Sequence, residues 1–100
     1  MNLVFVWDNE KAKSNILKHN VSFKEASSIF LSDENMLTIY DSEHSLNEER
    51  WITIGLSSAL RVLTVVHTHR QIDIKNVEIR IISSRKSTKR EIGQYKEQMI

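Results

Sequence analysis

The hydrophobic period of this chain changes once, near residue 35, and that change limits the possible folds more than any other feature. Between residues 9 and 30, small or apolar side chains recur at helical spacing: Ala12, Ile16 and His19, then Phe23, Ala26, Ile29 and Phe30. Asp8 stands where an N-cap is needed for a helix over residues 9–19. Ser22 and Glu25 fit a capping box ahead of a second, shorter helix. Beyond residue 35 the helical spacing disappears. Met36–Tyr40, Arg50–Leu56, Leu60–His69 and Val77–Ser84 are rich in β-branched residues and read as strands. Ser57, Ser58 and Ala59 make a link of hairpin length. A short strand over residues 3–7 precedes the helices. Thr88 and Glu91, again a capping-box pair, open a last helix from about Lys89 to Gln98. The order β-α-α-β-β-β-β-α predicts an α+β domain. It consists of an N-terminal strand and two helices, an antiparallel four-strand meander and a C-terminal helix. The helices gather on one sheet face and the other face is partly open to solvent.

The chain has no proline, and glycine only at positions 55 and 93, so no flexible linker divides its 100 residues. Residues 1–100 are expected to form one domain. Without cysteine, disulfides and thiolate metal sites are excluded. No apolar run approaches the roughly 20 residues of a membrane span. The first residues lack the basic and long apolar regions of a signal peptide, so a cytoplasmic protein is expected.

Net charge is +1, but the charges are unevenly placed. Residues 1–60 hold five basic and nine acidic side chains, a net of −4, while residues 61–100 hold nine and four, a net of +5. Such a split suits a domain that draws a polyanion to one face. From Arg80 to Arg90 there are five basic residues and no acidic one, where a strand runs into a helix start. Helix N-terminal N–H groups favour anions as well, so a phosphate-bearing ligand is the first expectation. In the other half, Asp33 to Glu49 carries six carboxylates and no Lys or Arg. That stretch suits a basic partner or keeps nucleic acid off one edge.

Within this frame, Arg80 alternates with Ile79 and Ile81 and therefore points away from the face those two bury. Glu78, Ile82 and Ser84 are expected on its side. A guanidinium there can grip a phosphate through two oxygens, or pair with a carboxylate on a wet sheet face. His67 can act as general acid or base, or be a structural strand residue. Lys11, Asn15 and Lys18, at i, i+4 and i+7, line one helical face, either solvated or in contact with a ligand. Glu48 and Arg50 share a strand parity opposite Trp51. Of the four histidines, His67 and His69 form only a weak i, i+2 pair. No H-E-x-x-H motif occurs, so no metal or cofactor is expected.

Two motifs carry a family likeness. Trp7-Asp8, Lys11, Asn15 and Lys18-His19 give W-D-x-x-K-x-x-x-N-x-x-K-H. Ile79 to Arg85 give I-R-I-I-S-x-R. Together with Arg50-Trp51, Ile54-Gly55 and Val65-Val66-His67-Thr68 between them, the chain resembles the BrnT family, toxins of type II toxin–antitoxin pairs. The resemblance spans nearly the whole chain. It implies a RelE-like fold and a metal-independent endoribonuclease that cuts mRNA. It also implies neutralisation by a BrnA-type antitoxin, whose ribbon-helix-helix domain binds operator DNA; the toxin reaches DNA only through that partner. With the residue chemistry, it makes Arg80, Arg85, His67 and Tyr95 the expected catalytic set. Lys11, Lys18 and Arg50 are the expected substrate contacts. The alternative is a non-catalytic RNA- or protein-binding module, or an inactive toxin kept for its part in a repressor complex.

Overall fold

The computed structural model describes residues 1–99; Ile100, the last residue of the expected domain, lies outside the described residues. The elements in chain order are β1 (Asn2–Val6), α1 (Asn9–His19), α2 (Phe23–Ser32), β2 (Leu37–Tyr40), β3 (Trp51–Leu56), β4 (Val62–His67), β5 (Arg70–Gln71), β6 (Asn76–Lys86) and α3 (Lys89–Glu97). A 3-10 turn over Ser42–His44 lies between β2 and β3. The 3-10 turn and the two-residue β5 are additions to the sequence expectation. Both are too short to leave a periodic signal.

The helix ends follow local chemistry. Asp8 accepts from the N–H groups of Glu10 and Lys11 at 2.8 and 3.0 Å. Asn20, left-handed at φ 55°, closes α1 with its N–H on the Ile16 carbonyl. Thr88 and Glu91 complete a reciprocal capping box on α3. The Ser22–Glu25 box is only half formed. Ser22 Oγ accepts from the Glu25 N–H at 3.0 Å, but the Glu25 carboxylate turns away to Ser57 Oγ (2.6 Å) and Arg61 Nε (3.0 Å). A charged partner outweighs the local backbone N–H, and the contact ties α2 to the β3–β4 turn.

The six strands make one mixed sheet in the order β1-β6-β4-β3-β2, with β5 paired to β6. Strands β2, β3, β4 and β6 pair in an antiparallel manner, whereas β1 lies parallel to β6. The sheet is thus larger than the expected four-strand meander. Strand β1 enters beside the last long strand and covers the edge of β6 from Asn76 to Arg80, removing unpaired backbone groups there.

Helices occupy both sheet faces, not one. Val77, Ile79 and Ile81 of β6 and Leu63 and Val65 of β4 form the core with Val21, Phe23, Ala26 and Ile29 from the α1–α2 layer. Each of the Val, Leu, Ile and Phe side chains, fully buried, contributes roughly 1.5–3 kcal/mol. At Gly55 the packing of α2 on β3 leaves no room for a side chain, since a Cβ would collide with Ile29 Cγ2. The opposite face carries α3. Thr64 of β4 stands opposite Arg85 of β6, and Arg85 binds Glu91 of α3. Net amphipathicity places a helix on some sheet face, but which one depends on how the chain leaves β6 at Lys86, and that is a tertiary matter.

Strand β6 contains a bulge. Val66 pairs with Ser83 and His67 with Ile81, so Ile82 is the extra residue. The bulge resets the side-chain alternation. Ser84 is fully buried on the α1–α2 face rather than beside Arg80 as expected. Arg85, five residues after Arg80, comes onto the same face as Arg80.

Candidate nucleic-acid interface

Asn15 organises the edge of β6 beyond the end of β1. Its side-chain nitrogen donates to the carbonyls of Ser84 at 2.7 Å and Val21 at 2.9 Å, and its Oδ1 accepts from the Ser84 N–H at 3.1 Å. A side-chain amide here substitutes for a neighbouring strand. It also fixes the direction of α1, so that Lys11 and Lys18, on the same helical face, flank the seam. Lys11, Ser14, Asn15, Lys18 and His19 from α1 and Ile82 and Ser83 from β6 line a shallow groove of about 170 Å³. Among the described residues no carboxylate lines it. A groove whose only charged walls are cationic suits a phosphodiester backbone.

A second cleft opens at the other side of the bulge. Its volume is about 340 Å³, and its walls include Glu48, Glu49, His69, Arg70, Glu78 and Arg80. The loop between β2 and β3 is closed by the Asp41 N–H on the Arg50 carbonyl (2.9 Å) and by Ser45 Oγ, which accepts from the Arg50 N–H (3.0 Å). This closure brings Glu48 across to β6. There one Glu48 oxygen, Oε1, bonds Arg80 Nη2 and lies 3.5 Å from Arg50 Nη2. All three side chains remain open to solvent, at 38% for Glu48, 42% for Arg80 and 33% for Arg50, so a ligand can reach them. His69 is exposed on the cleft wall. Arg70 and Glu78 pair at 3.0 Å beside it.

The remaining expected site residues lie elsewhere. His67 is 2% exposed, with its ring edge-on to Phe30 at a centroid distance of 4.9 Å. Its Nε2 is 2.6 Å from Thr53 Oγ1 and its Nδ1 3.0 Å from the Thr68 carbonyl. Burial pushes its pKa down to about 4, with the nearby His69 adding to the fall and the Thr68 contact opposing it. At neutral pH this ring is uncharged and enclosed. Arg85 forms a two-pronged pair with Glu91, Nη1 to Oε1 at 2.7 Å and Nη2 to Oε2 at 3.0 Å. The Arg85 guanidinium holds the Glu91 carboxyl down at about 2. The buried Tyr95 donates to Asp33 Oδ2 at 2.7 Å, and burial first, then that carboxylate, pushes its phenol up to about 12. The same Asp33 oxygen accepts from the Leu56 N–H at 2.8 Å, so Tyr95 fastens α3 to the end of α2 and to β3.

Arg80 and Arg50 are therefore brought together, Lys11 and Lys18 form a separate groove, and Arg85, His67 and Tyr95 join neither. Glu48 and His69 were not among the expected site residues. The only sequence signals were the shared parity of Glu48 with Arg50 and the His67/His69 spacing. Among the described residues, no three His, Asp or Glu side chains converge as a metal-binding group.

Residues 7–91 match the family model described as "Ribonuclease toxin, BrnT, of type II toxin-antitoxin system". The chain belongs to the BrnT family. Its fold is similar to the crystal structure of the Brucella abortus ribonuclease toxin BrnT, with a TM-score of 0.63. That likeness covers 89% of this chain and 100% of the other at 18% identity. Among curated proteins, none matches the sequence. The BrnT match encloses both clefts, from Trp7 between β1 and α1 to Glu91 in α3. Ribonuclease chemistry and an antitoxin partner are properties of the BrnT family as described. Among the described residues no helix is long and apolar enough to cross a membrane.

Proposed function

We propose that this chain is a toxin with RelE-like architecture that cleaves mRNA in the cytoplasm without a metal ion, and that a BrnA-type antitoxin holds it in check. The observation that carries this reading is the position of Arg80. It stands half-buried in a cleft containing carboxylate and imidazole groups, on the same strand that floors a groove walled by Lys11 and Lys18. Arg80 is two and three residues from Ile82 and Ser83 in the groove floor, a distance on the order of 7–10 Å along a strand. One RNA segment can lie along the groove with a phosphate at Arg80.

RNA carries its own nucleophile. The 2′-hydroxyl attacks the adjacent phosphorus, and the 5′-oxygen leaves. The protein stabilises the extra charge on the phosphate, usually the largest catalytic contribution. Arg80 and Arg50 serve that role here, while Lys11 and Lys18 hold the flanking backbone. Arg85, His67 and Tyr95 act as structural residues in this reading. Their hydrogen-bonding groups are already committed to Glu91, Thr53 and Asp33. The antitoxin covers the Arg80 cleft and the lysine groove, since a positive surface that binds RNA is open to a competing partner. Operator DNA is reached through the antitoxin.

The test is purified protein with end-labelled RNA in EDTA. Products are expected to carry a 2′,3′-cyclic or 3′-phosphate and a 5′-hydroxyl. Activity that vanishes in EDTA and returns with a divalent ion rules out the metal-free route.

A further inference from the structure

We propose that Glu48 is the general base and His69 the general acid of RNA cleavage in the Arg80 cleft; this rests on the ribonuclease reading above. Three observations converge. Glu48 is held against two guanidiniums, Arg80 and Arg50, by a single oxygen, Oε1. Its Oε2 carries no hydrogen bond among the described residues. A phosphate bound to Arg80 brings its ribose beside that free oxygen. His69 lies on the wall of the same cleft and is exposed, unlike His67, whose two ring nitrogens are both engaged in the core. The loop closure at Asp41, Ser45 and Arg50 carries Glu48 from the β2–β3 side to β6.

The step balances without a cofactor. The Glu48 carboxylate takes the proton of the 2′-hydroxyl as the 2′-oxygen bonds to phosphorus. The bond from phosphorus to the 5′-oxygen breaks, and His69, entering as imidazolium, gives its proton to that oxygen. A 2′,3′-cyclic phosphate and a 5′-hydroxyl result, leaving Glu48 protonated and His69 neutral, and solvent exchange restores both. Arg80 has two successive partners in this scheme. It holds Glu48 in the free protein and the phosphate in the complex, which places base and electrophile side by side.

The cut position is first mapped on a mixed-sequence RNA with wild-type protein. Single-turnover rates are then measured on a short RNA spanning that position. One version has the ordinary linkage, one a 5′-thio leaving group, and one a 2′-deoxy sugar at the cut. Glu48→Gln and His69→Gln are each expected to slow the ordinary linkage about 100-fold. A thiolate leaves without protonation, so the 5′-thio linkage restores His69→Gln to near the wild-type rate and leaves Glu48→Gln slow. A merely structural role for His69 does not produce that selective rescue. Either variant cutting the ordinary linkage within about threefold of wild type overturns its assignment, as does His69→Gln equally slow on both linkages. The ribonuclease reading fails separately, when wild-type protein leaves RNA intact or cuts the 2′-deoxy linkage equally well.

Discussion

The side-chain amide of Asn15 grips both backbone groups of Ser84, donating to its carbonyl at 2.7 Å and accepting from its N–H at 3.1 Å. Asn15 is 6% exposed and Ser84 fully buried, so neither backbone group has water as a substitute. Removing the amide leaves buried polar groups unpaired, at roughly 1–3 kcal/mol each. Asn15→Ala is therefore expected to lower stability by about 2–4 kcal/mol in chemical denaturation. A loss below about 1 kcal/mol excludes the amide as the seal on the edge of β6.

The enclosed imidazole of His67 makes stability depend on pH. Its pKa is about 6.5 when unfolded and about 4 when folded, so the unfolded chain binds the extra proton between those values. Stability is expected to fall as pH drops from 6.5 towards 4, by about 3 kcal/mol at most from this group. In His67→Gln that slope should flatten, even though the variant is less stable at pH 7. An unchanged slope in urea titrations across this window contradicts the burial argument.

The Arg85–Glu91 pair acts in the same direction, in a more acidic window. The folded Glu91 carboxyl, at about 2, lies below its ordinary 4.5, so its contribution is present above pH 4.5 and is lost as pH falls towards 2. Arg85 is 42% exposed, and solvent screening reduces the pair to about 1–2 kcal/mol. Glu91→Gln is expected to cost that much at pH 7 and almost nothing at pH 2. An equal cost at both pH values assigns the loss to capping alone.

Arg80 and Arg85 occur in one motif yet are expected to respond differently. Arg80→Ala should slow RNA cleavage about 100-fold with an unchanged melting temperature, as for a lost transition-state contact. Arg85→Ala should lower the melting temperature by several degrees and leave the rate per folded molecule within about threefold of wild type. Reversed results from parallel melting and single-turnover measurements place the reacting phosphate at α3 instead.

The positions of α1, α3 and the four longer β-branched strands were legible in the sequence, because helical spacing, caps and β-branched runs are local signals. Asp8, Thr88 and Glu91 act where their types predict. So too was the likeness between Trp7 and Arg85 that places the chain in its family. The sequence could not determine how β6 alternates. One inserted residue, Ile82, moves Ser84 into the core and Arg85 to the side of Arg80, and only pairing with β4 reveals it. Nor could it determine the partners of the ionisable groups. Glu25 abandons its own helix end for Arg61, 36 residues away, and Glu48 reaches Arg80, 32 residues away. His67 ends β4 and His69 follows two residues later in the link to β5, yet one is sealed against Phe30 and the other faces an open cleft. Side-chain chemistry is written in the sequence, but burial and charge pairing arise from contacts between distant segments, and those decide which of several similar residues is free to act.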